Sequence, residues 1–297
     1  MNDNLYRIVS SILFIAISYG IVFLIGNSFE QVNFSESFIY KSWGIIFLIQ
    51  LVGFIPSFLF KTDHYFDITG GITFLVILFL ATQKIINDEP LTLKLTPFFL
   101  SSIWAIRLSS FLFLRVKKAG KDIRFDNLKT NFFKFMLSWV VQGFWVFMCL
   151  LPLLVISDTK KSNNYIFLLI GIMIWSFGFI FEIISDNQKS RFNSNKNNKG
   201  NFIKTGLWSL SRHPNYFGEF ILWIGITIIA LPYFSGIHYI TCLSPAFIYL
   251  MLNKISGVNL LEEIGDQRWG DEKSYLDYKK QTPIFFPKLS NLWTKKK

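Results

Sequence analysis

The sequence predicts an all-α fold, a polytopic bundle of transmembrane helices, on three observations. Apolar residues make up 52% of the 297-residue chain, with 34 Phe and 9 Trp, while charged residues make up only 16%. A soluble chain carries about a quarter charged residues. Second, the apolar runs last about 20 residues and cover every face of a helix, where a soluble helix would show an amphipathic period. Third, Lys and Arg collect in alternate connections between those runs, as they do in a chain threaded back and forth through a bilayer. A mean hydropathy of +0.39 agrees.

Eight spans follow in order, at 7–26, 38–60, 68–86, 97–115, 133–156, 165–185, 216–232 and 236–254. The first, "RIVSSILFIAISYGIVFLIG", has the length of a full crossing and no small-x-small cleavage site, so it reads as a retained span. The next five are apolar runs of crossing length bounded by polar connections. The fourth carries Arg107, the fifth Gln142 and the sixth ends around Glu182. The last two are separated only by "YFSG", either a tight turn between helices or a re-entrant kink, so seven is the alternative count. The chain divides coarsely into N-terminal spans, 1–60, and one structural unit, 61–297, that holds the polar connections and the tail.

With the N-terminus in the cytoplasm, the eight-span order puts 23 Lys and Arg on the cytoplasmic side and four on the other. That asymmetry orients the chain with both termini inside. It implies an inner membrane in a bacterium or the endoplasmic reticulum in a eukaryote. The net charge of +11 is spread between apolar spans, where anionic lipid or an anionic cofactor meets it, which argues against nucleic acid. Cys149 and Cys242 both lie in apolar runs, with no disulfide framework and no metal-ligand spacing.

Polar side chains inside spans mark sites, because placing a charge at mid-bilayer costs about 3 kcal/mol on insertion scales. Arg107, in "WAIRLSSF", either snorkels to an interface or pairs with a partner in the bundle. Glu182 and Asp186 are four apart and share one helix face. They suit either an Arg partner or ribose hydroxyls.

The densest polar run is "SRHPNYFGE", residues 211–219, at the mouth of the seventh span. Pro214 suits the first turn of a helix, where its missing N–H would be unpaired anyway. Arg212 and His213 then stand at the positive helix end, while Asn215 and Glu219 share a face running inward. Such an end attracts phosphate, and Arg offers it a planar fork. The plainer reading is a juxtamembrane basic cluster with Tyr216 in the aromatic belt.

The run "GLWSLSRHPNYFGE" resembles the C-terminal signature of the steroid 5α-reductase-like membrane family, in its poorly characterised branch. "KTDHYFDITGGITF", "WAIRLSSFLFLR" with "GKDIRF", "FEIISDNQKSRF" and the tail "SGVNLLEEI…RWGDEKSYLDYKKQTPIFFP" resemble that branch in the same order, from about residue 60 to the end. The resemblance implies a bundle that holds NADPH in a cavity open to the cytoplasm and reduces a C=C bond conjugated to a carbonyl in a lipophilic substrate. It implies Asp186, Asn215 and Glu219 as cofactor contacts, and Arg107, Arg124, Arg212 and His213 near the phosphates or the nicotinamide amide. Tyr216, in the same run, completes the set. Tyr65 and Asp67, which open a span, are the candidates to polarise the carbonyl. Where steroid reductases place a Gln-Glu pair before Pro-Ser-Phe, "GFIPSF" has Gly53 and Phe54, so a steroid-type carbonyl clamp is absent or moved.

Two other readings compete. Membrane methyltransferases acting on prenyl or phospholipid substrates with S-adenosylmethionine also carry an Arg-His-Pro-x-Tyr run before a span. A transporter or lipid-binding protein would use Arg107 and Glu182 along a path, but the ionisable residues gather at one face and no internal repeat appears. Reporter domains fused to the two termini are expected to report the same, cytoplasmic side on the eight-span count and opposite sides on the seven-span count.

Overall fold

Seven stretches of the chain form helices long and apolar enough to cross a bilayer. They are α1 (Asp3–Gly26), α2 (Phe38–Leu59), α3 (Phe66–Ile85), α4 (Leu91–Ala119), α5 (Phe132–Asp158), α6 (Tyr165–Ser194) and α7 (Pro214–Ala230), the last extended by a 3₁₀ turn at Leu231–Tyr233. The structure, a computed structural model, describes residues 3–29, 37–88, 90–120, 125–159, 164–255 and 257–288. Every regular element among them is helical.

The eighth expected span, 236–254, is not one helix. Gly236 turns the chain with φ of 51°, a conformation open to glycine, and 3₁₀ turns follow over Gly236–Cys242. Then come α8 (Leu243–Leu250), only eight residues long, and a π-helical stretch, Met251–Ile255. Each change of hydrogen-bond pattern interrupts the single register of a crossing helix. Two amphipathic segments complete the order, α9 (Val258–Trp269) and α10 (Lys273–Gln281).

The chain packs as two compact units: residues up to Leu168 with Ile229–Ser244, and Leu169–Ile228 with the chain from Pro245 on.

In the first unit, α5 is the central element, packed on α1, α2 and α3, with α4 against α3. Val146–Ser157 is buried without interruption, so α5 faces protein on all sides and its neighbours meet the lipid. At one end Asp158 accepts from the backbone nitrogens of Phe38 and Ile39 and from Ser37 Oγ, each at 3.2 Å, and pairs with Lys84. A carboxylate on the first N–H groups of α2 satisfies donors that a helix start leaves open and complements its dipole. Nearby, Lys94 is almost wholly buried and bonds Asp88 and the Thr159 carbonyl. At the other end Lys129 reaches buried Asp63 at 2.8 Å, above an aromatic cluster of Phe54, Phe125, Phe135 and Trp139.

In the second unit, α6 and α7 meet backbone to backbone through glycines. A Cβ on Gly218 would stand 2.6 Å from the Glu182 nitrogen and 2.7 Å from the Gly178 carbonyl oxygen. One on Gly225 would stand 2.6 Å from the Trp175 nitrogen and 2.7 Å from the Gly171 carbonyl oxygen. Small residues at this spacing let helices approach closely in lipid, where no hydrophobic force draws them together. Outward, α6 exposes Leu169, Met173, Phe177, Ile180 and Ile184, an apolar stripe suited to acyl chains. Such faces on seven helices identify an integral, multi-pass membrane protein.

Replacing Gly218 by Ala is expected to destabilise the detergent-solubilised protein by about 1–3 kcal/mol, the usual overpacking cost. Gly20→Ala, with nothing within 4 Å of the new carbon, should barely move the melting temperature. Equal effects would show that the α6–α7 backbone contact does not constrain the fold.

Candidate functional site

The run that opens α7 is held from both directions by the second unit. From α6, Gln188 Oε1 accepts from the Leu207 nitrogen at 2.9 Å, beneath Gly206, whose φ of 63° makes the turn. The indole of Trp208 donates to the Ser185 carbonyl at 3.0 Å, and Lys189 lies 4.6 Å from its ring centre. From the tail, the Pro283 carbonyl accepts from Arg212 N at 2.9 Å, and Lys288 N donates to the Leu210 carbonyl at 2.9 Å. Ser211 Oγ donates to the Phe285 carbonyl at 2.8 Å and accepts from His213 N at 3.2 Å. The tail thus straps residues 210–213 immediately before Pro214 starts the helix.

Glu262 on α9 gathers the side chains that this strap presents. Its Oε2 stands 2.6 Å from Arg212 Nη1 and 3.5 Å from Lys279 Nζ on α10. Its Oε1 lies 2.9 Å from His213 Nε2. Lys279 also meets Asp266 at 2.6 Å. Burial works to raise the Glu262 carboxyl, but the His213 hydrogen bond and the Arg212 and Lys279 charges outweigh it, leaving it below the usual carboxylate range. Burial also holds His213 below the ordinary imidazole value, with the Glu262 bond offsetting only part.

These two shifts fix the proton. A carboxylate can only accept, so the neutral ring carries its hydrogen on Nε2. Nδ1 is then a bare lone pair, buried and without a hydrogen-bond partner among the described residues. Arg212 Nε is likewise buried with no acceptor. Beside them opens a cleft of about 620 Å³ lined by Arg212, Asn259, Glu262, Glu263, Asp266 and Lys279. Its lining therefore presents two cations and three carboxylates.

The family described as protein of unknown function (DUF1295) matches residues 53–282. The chain belongs to the DUF1295 family. No curated protein and no solved structure matches it.

In this DUF1295 protein the expected site residues fall into two groups. Asp186, Arg212, His213, Asn215, Tyr216 and Glu219 lie in the second unit. Arg212 and His213 meet at Glu262, and the His213 ring stacks on Tyr216 at 5.7 Å. Asp186 and Glu219 are buried on the two helices of the glycine seam, and Asn215 is half-buried. The first unit holds Tyr65, Asp67 and Arg107; Arg124 lies outside the described residues. Tyr65, at the start of α3, is half-exposed, and the Arg107 guanidinium sits 5.3 Å from the Phe111 ring centre. Asp67 lines a small cavity with Gln142. Glu262 and Lys279 escaped the sequence reading. The four-residue spacing of Glu262 and Asp266 in "EEIGD" was their available signal, since it puts two carboxylates on one helix face.

A histidine held below its free value resists protonation in the folded state. Its contribution is complete above about pH 6.5 and is lost as pH falls through that value, with Glu262 acting in the same direction below about pH 4.5. Thermal stability is expected to fall between pH 7.5 and 5, and His213→Gln to flatten that decline. An unchanged slope in the variant would remove His213 from the acid response.

Proposed function

We propose that this protein is an NADPH-dependent reductase of a conjugated C=C bond in a lipophilic enone. The observation that carries the reading is the buried, unfilled Nε of Arg212 at the edge of an open cleft shared with Lys279. A guanidinium with a spare donor, a second cation and a helix start suit phosphate oxygens. The cleft volume lies in the range of cofactor sites, about 300–1,000 Å³. Glu262, Glu263 and Asp266 suit ribose hydroxyls. These residues therefore fit a ligand carrying phosphate together with hydrogen-bond donors, and the sequence resemblance to 5α-reductase-like proteins points to the same cofactor.

NADPH, when bound, supplies the hydride for such a reduction. The chain's own residues bind and orient. Arg212 and Lys279 neutralise phosphate, Glu262 fixes the His213 tautomer, and Asn215, Glu219 and Asp186 are the candidates for sugar and amide contacts. In the first unit Tyr65 and Asp67 stand as the candidates for polarising a carbonyl, a role that requires a donor about 3 Å from its oxygen.

A second reading, methyl transfer from S-adenosylmethionine to a lipid or prenyl substrate, is favoured by one observation. Three carboxylates line the cleft against two cations, which suits a cationic ligand. Thermal stabilisation of the purified protein by NADPH, NADH and S-adenosylmethionine separates the two. NADPH is expected to stabilise, and Arg212→Gln to weaken its affinity at least tenfold, the value of a charge-assisted hydrogen bond. Asn215→Ala and Glu219→Ala should weaken it without unfolding the bundle. Stabilisation by the methyl donor alone would end the reductase reading.

A further inference from the structure

The second cavity of note lies within the first unit, among α3, α4 and α5, and has a volume of about 50 Å³. Its wall is largely apolar, with Ala105, Leu108 and Leu112 beside an aromatic trio. Phe74, Trp104 and Trp145 meet one another with ring centres 5.3–5.9 Å apart. Three polar side chains interrupt it: Asp67, Ser109 and Gln142. Glycines admit two of them, since a Cβ on Gly70 would stand 2.8 Å from Gln142 Nε2 and one on Gly71 would collide with Ser109.

The hydrogen bonds these side chains already make determine what they can still offer. Gln142 Nε2 donates to the Phe66 carbonyl at 3.1 Å. A carbonyl cannot donate, so the amide is oriented, and Oε1 is the group left over. That oxygen is buried and has no partner among the described residues, and Gln142 as a whole is nine-tenths buried. Ser109 spends its hydroxyl hydrogen on the Ala105 carbonyl at 2.6 Å, which leaves its oxygen lone pairs.

A buried acceptor without a donor costs about 1–3 kcal/mol, and water or a ligand group can recover that cost. We propose that this cavity binds the hydroxyl head of a lipophilic alcohol, with Gln142 Oε1 and the Ser109 oxygen accepting its hydrogen bond and the aromatic trio enclosing the adjoining carbons. Its acceptor character rejects a carbonyl or ether oxygen, which brings no hydrogen. Its volume, near that of two waters, takes a head group and one or two carbons, and the rest of an apolar molecule has only the helix faces to follow.

The proposal does not rest on the cofactor reading, and its test contains no cofactor, so either can fail alone. The full chain in detergent is titrated with farnesol, farnesyl methyl ether and farnesylamine, following tryptophan emission and the shift in melting temperature. Farnesol is expected to bind about tenfold more tightly than its methyl ether, the worth of one buried hydrogen bond. Gln142→Met should bring that ratio close to one while leaving the ether's affinity unchanged. Ser109→Ala, which gives up only a bond within its own helix, should reduce the ratio and serves if the Gln142 variant does not fold. Equal binding of alcohol and ether, tighter binding of the amine, a ratio untouched by both variants, or no saturable binding at all would each overturn the proposal.

Discussion

Inside a bilayer a polar group has no water to bond, so each one that the chain carries inward must find its partner within the protein. That constraint organises both units. Asp158 closes the start of α2 because the first N–H groups of a helix otherwise face hydrocarbon, and Lys84 balances the charge this brings in. Buried Lys94 is tolerable because Asp88 and a backbone carbonyl receive it. Gln50 turns to Thr73 at 2.9 Å, and Thr73 passes its own hydrogen to the Thr69 carbonyl. Glu262 gathers Arg212, His213 and Lys279 onto one carboxylate outside the spans, where the cluster borders an open cleft. Some buried groups among the described residues are nonetheless left unfilled, Ser57 Oγ, the Trp139 indole and Gln50 Oε1 among them, and a few of these lie at cavities.

Those exceptions differ in kind between the units. The second keeps a guanidinium donor and an imidazole lone pair beside an open, charged cleft. The first keeps an amide oxygen in a small, largely apolar cavity. One environment suits a charged, water-soluble ligand and the other the end of an apolar one.

Much of this was legible in the sequence where the signal is local. Seven apolar runs became helices because length and composition alone decide insertion. Pro214 began α7 as its fixed φ and missing N–H require. Residues 236–254 were misread as a span because hydropathy registers apolar content but not the change from 3₁₀ to α to π hydrogen bonding. Glu262 was missed because nothing near Arg212 names a partner 50 residues along the chain, and only folding joins them. The seam of Gly178 and Gly218 was overlooked for a similar cause: each glycine is ordinary on its own helix and acquires meaning only from the backbone opposite. The acceptor character of Gln142 depends on which way its amide turns, and the Phe66 carbonyl decides that.

The strap over residues 210–213 also sets an order of events during synthesis. Ser211 and Phe285 are 74 positions apart, so α7 has emerged and found its place in lipid well before its clasp exists. Through that interval the Arg212 guanidinium is without Glu262, and only water and lipid headgroups are there to receive it. The cleft is therefore assembled only after the chain from Glu262 to Phe285 has been made. A chain halted before that point is inserted and helical but lacks the cleft, so the gap between membrane integration and a finished cleft is written into the order of the chain.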